Sequence, residues 1–389
     1  MAIINSLLQT DFYKFSMAQC ILHQFPNVQV EYKLKCRNTG VKFWRIYEEL
    51  DKEIDNLCKL RFTEDELKYL SKIRFLKEDF IEYLRLLQLN REYIQINILD
   101  DKEIGITIKG NWLSTIWFEV PILAIINELY YKDIYTRDNI RGLYKKGKEN
   151  LQETIKYLKN PGIKFSEFGT RRRFSQEWQY EVLETLTKEC PDNYTGTSNV
   201  YYSMMFGTPP IGTMAHEIIC CGQALTRVRD SQKYMLQAWC SEFRGDLGIA
   251  LSDTLGFDAF LNDFDLYFAK LFDGCRHDSG DPFIWTDKLI NHYKSLKINP
   301  MTKRAVYSDC LTGKKCKQIY DTYKGQIDMA FGIGTHLVNN MGVEALQNVI
   351  KVVTCNGQPV AKLSDSSGKI MCKDDNYLTY LKSQFGIMG

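Results

Sequence analysis

From Phe272 the chain reads Phe272-Asp273-Gly274-Cys275-Arg276-His277-Asp278-Ser279-Gly280-Asp281-Pro282, an apolar run that gives way at once to a loop dense in charge and glycine. The same change recurs on both sides. It is seen at Pro210-Ile211-Gly212-Thr213-Met214-Ala215-His216-Glu217 and at Gly248-Ile249-Ala250-Leu251-Ser252-Asp253. It returns at Ala305-Val306-Tyr307-Ser308-Asp309 and at Met329-Ala330-Phe331-Gly332-Ile333-Gly334-Thr335. A longer, often helical segment usually follows, and the uneven steps are about what strand, loop and crossover helix consume together. This rhythm predicts parallel strands joined by helices, and an α/β barrel is the closed form. His216 reads as the end of one such strand. In these barrels the C-terminal strand ends build the active site, and here they carry His, Asp, Arg, Ser and Gly rather than core residues. An enzyme is the expectation.

The flanks read differently. Val28, Val30, Tyr32, Leu34 and Cys36 alternate with polar residues, the pattern of a half-buried strand. Thr63 with Glu66 forms a capping box before a helical stretch through Leu70. Ile94, Ile96 and Ile98, then Asp100-Asp101, then Ile104, Ile106 and Ile108, predict a hairpin. Near the end, Val349 to Val353 and Pro359 to Leu363 flank the turn Asn356-Gly357. The expected organisation is an N-terminal α+β domain over 1–138, a catalytic barrel over 139–342 and C-terminal strands over 343–389 that return to the first domain.

Composition narrows the class. The 389 residues suffice for about two or three domains. Lys and Arg number 50 against 48 Asp and Glu, a balance that argues against a broad nucleic-acid surface. The most apolar window, Leu113 to Tyr131, is broken by Glu119, Pro121, Asn127 and Glu128, so it predicts a core helix rather than a membrane span. Met1 to Lys14 lacks the basic start and apolar run of a secretory leader, and twelve cysteines without a C-x-x-C pair suggest reduced thiols. A cytoplasmic protein is expected, with no membrane and no nucleic-acid partner.

Four stretches could do chemistry. Phe331-Gly332-Ile333-Gly334-Thr335 can present amides to a phosphate or simply make a tight turn, and Leu337 stands where a full G-x-G-x-x-G would need its third glycine. Glu167-Phe168-Gly169-Thr170-Arg171-Arg172-Arg173-Phe174 places three arginines in a row. They cannot all share one face, so either one enters a cleft and grips an anion, with Phe168 free to stack on a flat ring, or the turn is merely solvated. In 273–282 the carboxylates can hold ribose hydroxyls or magnesium diphosphate, with Arg276 neutralising phosphate. The bland alternative is helix capping by Asp278 and Ser279. His216 is either a satisfied structural histidine or a group for proton or phosphoryl transfer.

Together these segments resemble the nicotinate phosphoribosyltransferases, type II phosphoribosyltransferases of NAD biosynthesis. The resemblance also runs through Thr10-Asp11-Phe12-Tyr13-Lys14, Val30 to Asn38 and Gly196-Thr197-Ser198-Asn199-Val200, and it covers essentially the whole chain. It implies an irregular α/β barrel with an N-terminal α+β domain. The implied activity joins nicotinate to 5-phosphoribosyl 1-pyrophosphate, with ATP as co-substrate, magnesium as cofactor and a ligase-type classification. By the same resemblance Phe168 stacks on the pyridine ring, Tyr13 of a neighbouring subunit covers its other side, and Arg171 orients the substrate. Thr197 and Ser198 belong to that subsite. Arg276 and Asp278 hold ribose and diphosphate, Asp278 and Asp281 bind magnesium, and Gly332, Ile333, Gly334 and Thr335 cradle the 5′-phosphate near Ser308 and Asp309. His216 matches the histidine phosphorylated from ATP, and a homodimer with shared active sites is implied.

Two departures stand out. Cys310 follows Asp309 where relatives commonly have glycine. Ser198 supplies no carboxylate where nicotinamide-using relatives have an Asp nearby, which favours nicotinate. The competing readings are a phosphoribosyltransferase for nicotinamide or quinolinate and a non-catalytic phosphosugar-binding barrel. A barrel aldolase or glycosidase would want a Schiff-base lysine or two facing carboxylates, and no lysine marks the strand ends.

Overall fold

The computed structural model describes residues 2–99, 103–365 and 370–387, so the turn at Asp100-Asp101 lies outside the described residues. Strands β1 (Gln29–Cys36), β2 (Ile94–Ile98) and β3 (Ile104–Asn111) come first in the chain. Six short strands follow: β4 (Phe165–Glu167), β5 (Tyr194–Thr197), β6 (Ile249–Leu251), β7 (Gly274–His277), β8 (Arg304–Tyr307) and β9 (Asp328–Ile333). Strands β10 (Asn348–Cys355) and β11 (Gln358–Pro359) end the series.

An antiparallel sheet in the order β11-β10-β1-β3-β2 organises the N-terminal region. The alternation read along β1 puts Val30 and Tyr32 in the core, and β1 lies between β3 and the late strand β10. Both halves of the capping box form, Glu66 N–H donating to Thr63 Oγ1 and Thr63 N–H to Glu66. The stretch Trp112–Ile134 is long and apolar enough to cross a membrane, yet 89% of its apolar window is buried inside the protein. It is a core element, as its interrupting polar residues imply.

The second sheet is wholly parallel, in the order β5-β4-β9-β8-β7-β6. Helices cover its outer face, and the period of two decides what points inward. Cys275 Sγ meets Tyr293 Oη at 3.6 Å and the His277 ring packs 5.4 Å from Trp285, both on the helix Pro282–Ser295. Arg276 and Asp278 therefore take the opposite, inner face. Likewise Tyr307 bonds outward to Thr286 at 2.8 Å while Ser308 turns in.

Strands β5 and β6 do not pair, and an irregular segment closes the seam. Pro210 makes a single parallel bridge to Thr197, Ile211 N–H donates to Thr197 O at 2.9 Å, and Thr213 Oγ1 donates to Ile249 O at 3.0 Å. The strand expected here is reduced to that one bridge because Pro209 and Pro210 have no N–H to give a ladder. Consequently His216 does not end a strand. It opens the helix His216–Leu225.

Strands β4 and β5 escaped the reading because Ser166, Glu167, Thr195 and Thr197 interrupt their apolar signal. The boundary drawn after residue 138 falls in the first turn of the helix Arg137–Leu158, which packs on the barrel helix Gly313–Tyr323. Past β11 the chain leaves the antiparallel sheet. Leu363 N–H donates to Thr254 O at 2.8 Å, and Ala361, Leu363 and Leu381 form an apolar cluster with Val228, Leu255 and Ala259.

Candidate active site

A cleft of about 480 Å³ opens at the C-terminal ends of the parallel strands, where Phe168, Asp278, Ser308 and Gly334 converge with His216. Arg37, Arg172, Lys351 and Lys362 give it a cationic wall. A smaller hollow of about 90 Å³ adjoins it and shares Arg171, His216, Lys351 and Lys362. Loops from four parallel strands and the N-terminus of one helix therefore face one space.

At its centre His216 Nε2 lies 2.8 Å from Asp253 Oδ1 and 3.5 Å from Asp278 Oδ2. Lys362 Nζ sits 2.7 Å from Asp253 Oδ2 and 3.9 Å from Asp278 Oδ2, and Ser279 Oγ also donates to Asp253. Burial pushes the Asp253 carboxyl up, but His216 and Lys362 outweigh it and hold it well below the usual range. Asp278 is lowered by the same contest, with Lys362 the larger favourable influence. Burial, with help from Lys362, lowers the His216 imidazole despite its two acidic neighbours. The result is a neutral ring beside an ionised carboxylate. Because that carboxylate can only accept, Nε2 carries the proton and Nδ1 keeps its lone pair.

Phe168 and Arg171 follow β4. The Phe168 ring lies over Gly332, where a Cβ would come within 2.3 Å of it. Arg171 stands 3.2 Å from Glu119 Oε1 and 3.5 Å from Asp11 Oδ2. Its guanidinium is 5.7 Å from the centre of the Tyr13 ring in the same chain, and that ring is buried. Within the chain, the short link from Tyr13 back to Asp11 keeps this ring beside Ser198, whose carbonyl accepts from Phe12 N–H at 2.7 Å. Ser198 Oγ donates to Asp11 Oδ1 at 2.8 Å, so a carboxylate does stand next to Ser198, already committed to Arg171. Thr197 does not face the cleft. Its hydroxyl donates to Glu167 at 2.5 Å on the outer side, together with Gln179, and burial raises the Glu167 carboxyl to about 7 against those bonds. Of the arginine triplet, Arg173 is fully buried, bonded to Gln179 and to the backbone of Ile3, while Arg171 and Arg172 line the cleft.

At the other end, Gly332 and Ile333 remain inside the β9 ladder opposite Ser166 and Glu167, so they do not form a phosphate cradle. The chain turns only at Gly334, and Gly334 and Thr335 face the cleft. Ser308 Oγ donates to Asp278 Oδ1 at 2.8 Å, and Asp309 lines the cleft beside it. Cys310, at φ +48°, occupies the left-handed region that favours glycine. Arg276 is half-buried on the inner face, and its Nε has no hydrogen-bond partner among the described residues. Asp281 caps a helix through one of its two carboxylate oxygens. Its Oδ1 accepts from Phe283 and Ile284 N–H, capping the helix that Pro282 begins, so the capping residue is Asp281 rather than Asp278 or Ser279.

Sequence reasoning missed Lys362, Asp253, Lys14 and Glu119. Lys362 had a signal, a lysine set between Ala361 and Leu363 in an apolar run, and Asp253 ended a run of the barrel rhythm. Nothing along the chain pairs the two, 109 positions apart.

Comparison with known proteins agrees over the whole length. Residues 163–388 match the model of the nicotinate phosphoribosyltransferase (NAPRTase) family, and residues 8–127 match that of its N-terminal domain. A nicotinate phosphoribosyltransferase of Burkholderia mallei is 52% identical over 392 residues, covering 99% of this chain and 97% of the relative. One from Acidovorax sp. (strain JS42) is 49% identical over 99% of both chains. The crystal structure of nicotinate phosphoribosyltransferase from Vibrio cholerae superposes with a TM-score of 0.94 at 38% identity, covering 100% of this chain and 95% of that one.

Proposed function

This chain belongs to the nicotinate phosphoribosyltransferase family, and we propose that it couples the family's transfer to ATP hydrolysis through a phosphohistidine at His216. The reaction joins nicotinate to 5-phosphoribosyl 1-pyrophosphate, giving nicotinate mononucleotide and pyrophosphate. Its task is to bring a weak ring nucleophile to an anomeric carbon while the departing diphosphate is neutralised.

In this reading Arg171 receives the substrate carboxylate, with Phe168 offering a flat face beside it. Arg276 and Asp278 grip the ribose and diphosphate from the inner face of β7. The amides of Gly334 and Thr335 meet the 5′-phosphate, with Ser308 and Asp309 alongside. The buried, unpartnered Nε of Arg276 supports an anion at that place.

The magnesium expectation can be tested on the donors present. His216, Asp253 and Asp278 offer ligand atoms within 4.8 Å of one another. Asp253 is already taken by His216, Lys362 and Ser279. Asp278, held more loosely by its cationic neighbours and lining the cleft, is the carboxylate that fits a hard cation shared with diphosphate oxygens. When bound, magnesium supplies charge neutralisation to the leaving group.

The single observation behind the ATP coupling is the His216–Asp253 contact. A neutral imidazole with its proton fixed on Nε2 leaves Nδ1 as a nucleophile. Attack on the γ-phosphorus forms the P–N bond as the bond to ADP oxygen breaks, and water later releases phosphate from the histidine. Coupling then requires that the phosphorylated enzyme hold substrates more tightly than the free enzyme. Incubation with γ-labelled ATP should leave acid-labile label on the protein and none on His216→Asn. Label persisting in that variant would refute the assignment.

A further inference from the structure

A line of alternating buried charges runs from the nicotinate end of the cleft to the helix that carries His216. Its open end is Arg171, whose side chain is 41% exposed. Arg171 Nη1 reaches Glu119 Oε1 at 3.2 Å, and the other Glu119 oxygen takes Lys14 Nζ at 2.7 Å. Lys14 Nζ, fully buried, is also 2.7 Å from Glu217 Oε2. Glu217 accepts from Tyr32 Oη at 2.5 Å and from Trp112 Nε1 at 2.6 Å on its remaining oxygen. It is the residue next to His216.

The two ends of this line differ in grip. The Lys14 contacts have the length of full charge-assisted bonds, whereas Arg171 holds Glu119 at 3.2 Å and Asp11 at 3.5 Å. An incoming carboxylate therefore competes for Arg171 at the weaker end. As Arg171 turns toward it, Glu119 loses one of two cations and draws harder on the other. That other cation is Lys14, which Glu217 shares. Glu119 keeps Lys14 at 2.7 Å, so what shifts is the division of that one buried ammonium between Glu119 and Glu217, and the change reaches Glu217 in that form.

We propose that Lys14 and Glu119 are positioning residues that couple occupancy of Arg171 to the placement of His216. Lys14, divided between Glu119 and Glu217, is the bistable element that both sites bias. The inference rests on the phosphohistidine reading and deepens it by saying how the carboxylate of the substrate is sensed at the phosphorylated residue.

The test measures the KM for nicotinate with and without ATP in wild type, Glu119→Gln, Lys14→Arg and Lys14→Met, with γ-labelled ATP used in parallel to score His216. Couplings of this kind are typically about 5- to 150-fold. Glu119→Gln should move the KM ratio several-fold toward one while His216 still takes label, and Lys14→Arg should keep more of the ratio than Lys14→Met. Should Lys14→Met fail to fold, Glu119→Gln decides alone, since it keeps volume and hydrogen-bonding capacity. Label with an unchanged ratio overturns the proposal, as does a parallel rise of both KM values, which would make Glu119 a support for Arg171 only. Absence of label in wild type removes the phosphohistidine reading and this proposal together.

Discussion

His216 and Asp253 meet across the unpaired seam of the parallel sheet, Nε2 to Oδ1 at 2.8 Å, one at the start of a helix and the other just past a strand. The seam is where the closing segment turns from the sheet into a helix, which brings the N-terminal residue of that helix over the strand ends. The imidazole thus enters the site from a helix start, and the carboxylate that bonds its Nε2 follows a strand.

Asp253→Asn removes the obligatory acceptor and frees the ring to adopt the other tautomer. ATP-dependent labelling of His216 should fall by about 10²-fold or more, the scale of a lost proton-handling partner. Quantified acid-labile label checks this, and a wild-type rate would mean that the tautomer is set by another contact.

Lys362→Met withdraws a buried ammonium from Asp253, whose side chain is 1% exposed. Breaking one side of a buried pair costs about 3–5 kcal/mol. A clear drop in the urea midpoint of unfolding is expected, and an unchanged midpoint would show Lys362 to be replaceable by packing alone.

Gly332→Ala places a methyl group 2.3 Å from the Phe168 ring. Overpacking of this kind costs about 1–3 kcal/mol, and the ring must move. The KM for nicotinate should rise about tenfold, equivalent to 1.4 kcal/mol. Steady-state kinetics with nicotinate varied decides it, an unaltered KM being the contrary result.

Ser198→Asp sets a second carboxylate against Asp11, whose own carboxyl is already raised by burial in spite of Arg171. The added charge competes for Arg171 and weakens nicotinate use. Kinetics identical to wild type would remove Ser198 from the specificity argument.

Glu167 supplies a pH dependence of stability. Its folded carboxyl titrates at about 7 against an ordinary 4.5, because burial outweighs the bonds from Thr197 and Gly169. The folded state therefore binds the proton more tightly, so this group's contribution is full below 4.5 and is lost as pH rises through 7. The difference amounts to about 3 kcal/mol. Urea unfolding of wild type and Glu167→Gln at pH 5 and pH 8 should show the variant gaining relative stability at the higher pH, and parallel behaviour would contradict the shift.

Much of this was legible along the chain. The alternation in β1, the Thr63–Glu66 capping box and the pairing of the two isoleucine strands are local patterns, governed by residues within a few positions of one another, and each is present as read. The barrel rhythm likewise located β6, β7, β8 and β9. It failed at Pro210, where missing N–H groups forbid a ladder, and at β4 and β5, which are too short and polar to announce themselves.

Within the site, Phe168, Arg171, His216, Asp278, Ser308 and Gly334 could be named from their motifs. Others in the same motifs went elsewhere, since Asp281 caps a helix and Gly332 makes room for a ring.

What the order of residues determined by itself was the set of local elements and the chemical groups that end them, because hydrogen bonding and hydrophobic period act over short spans. What only the tertiary structure decided was the company each charge keeps. Lys362 comes back from the C-terminal segment to Asp253, and Lys14 crosses from the first helix to Glu119 and Glu217. Burial makes such pairings compulsory, yet the partner is set by where the backbone returns, and that no local pattern records.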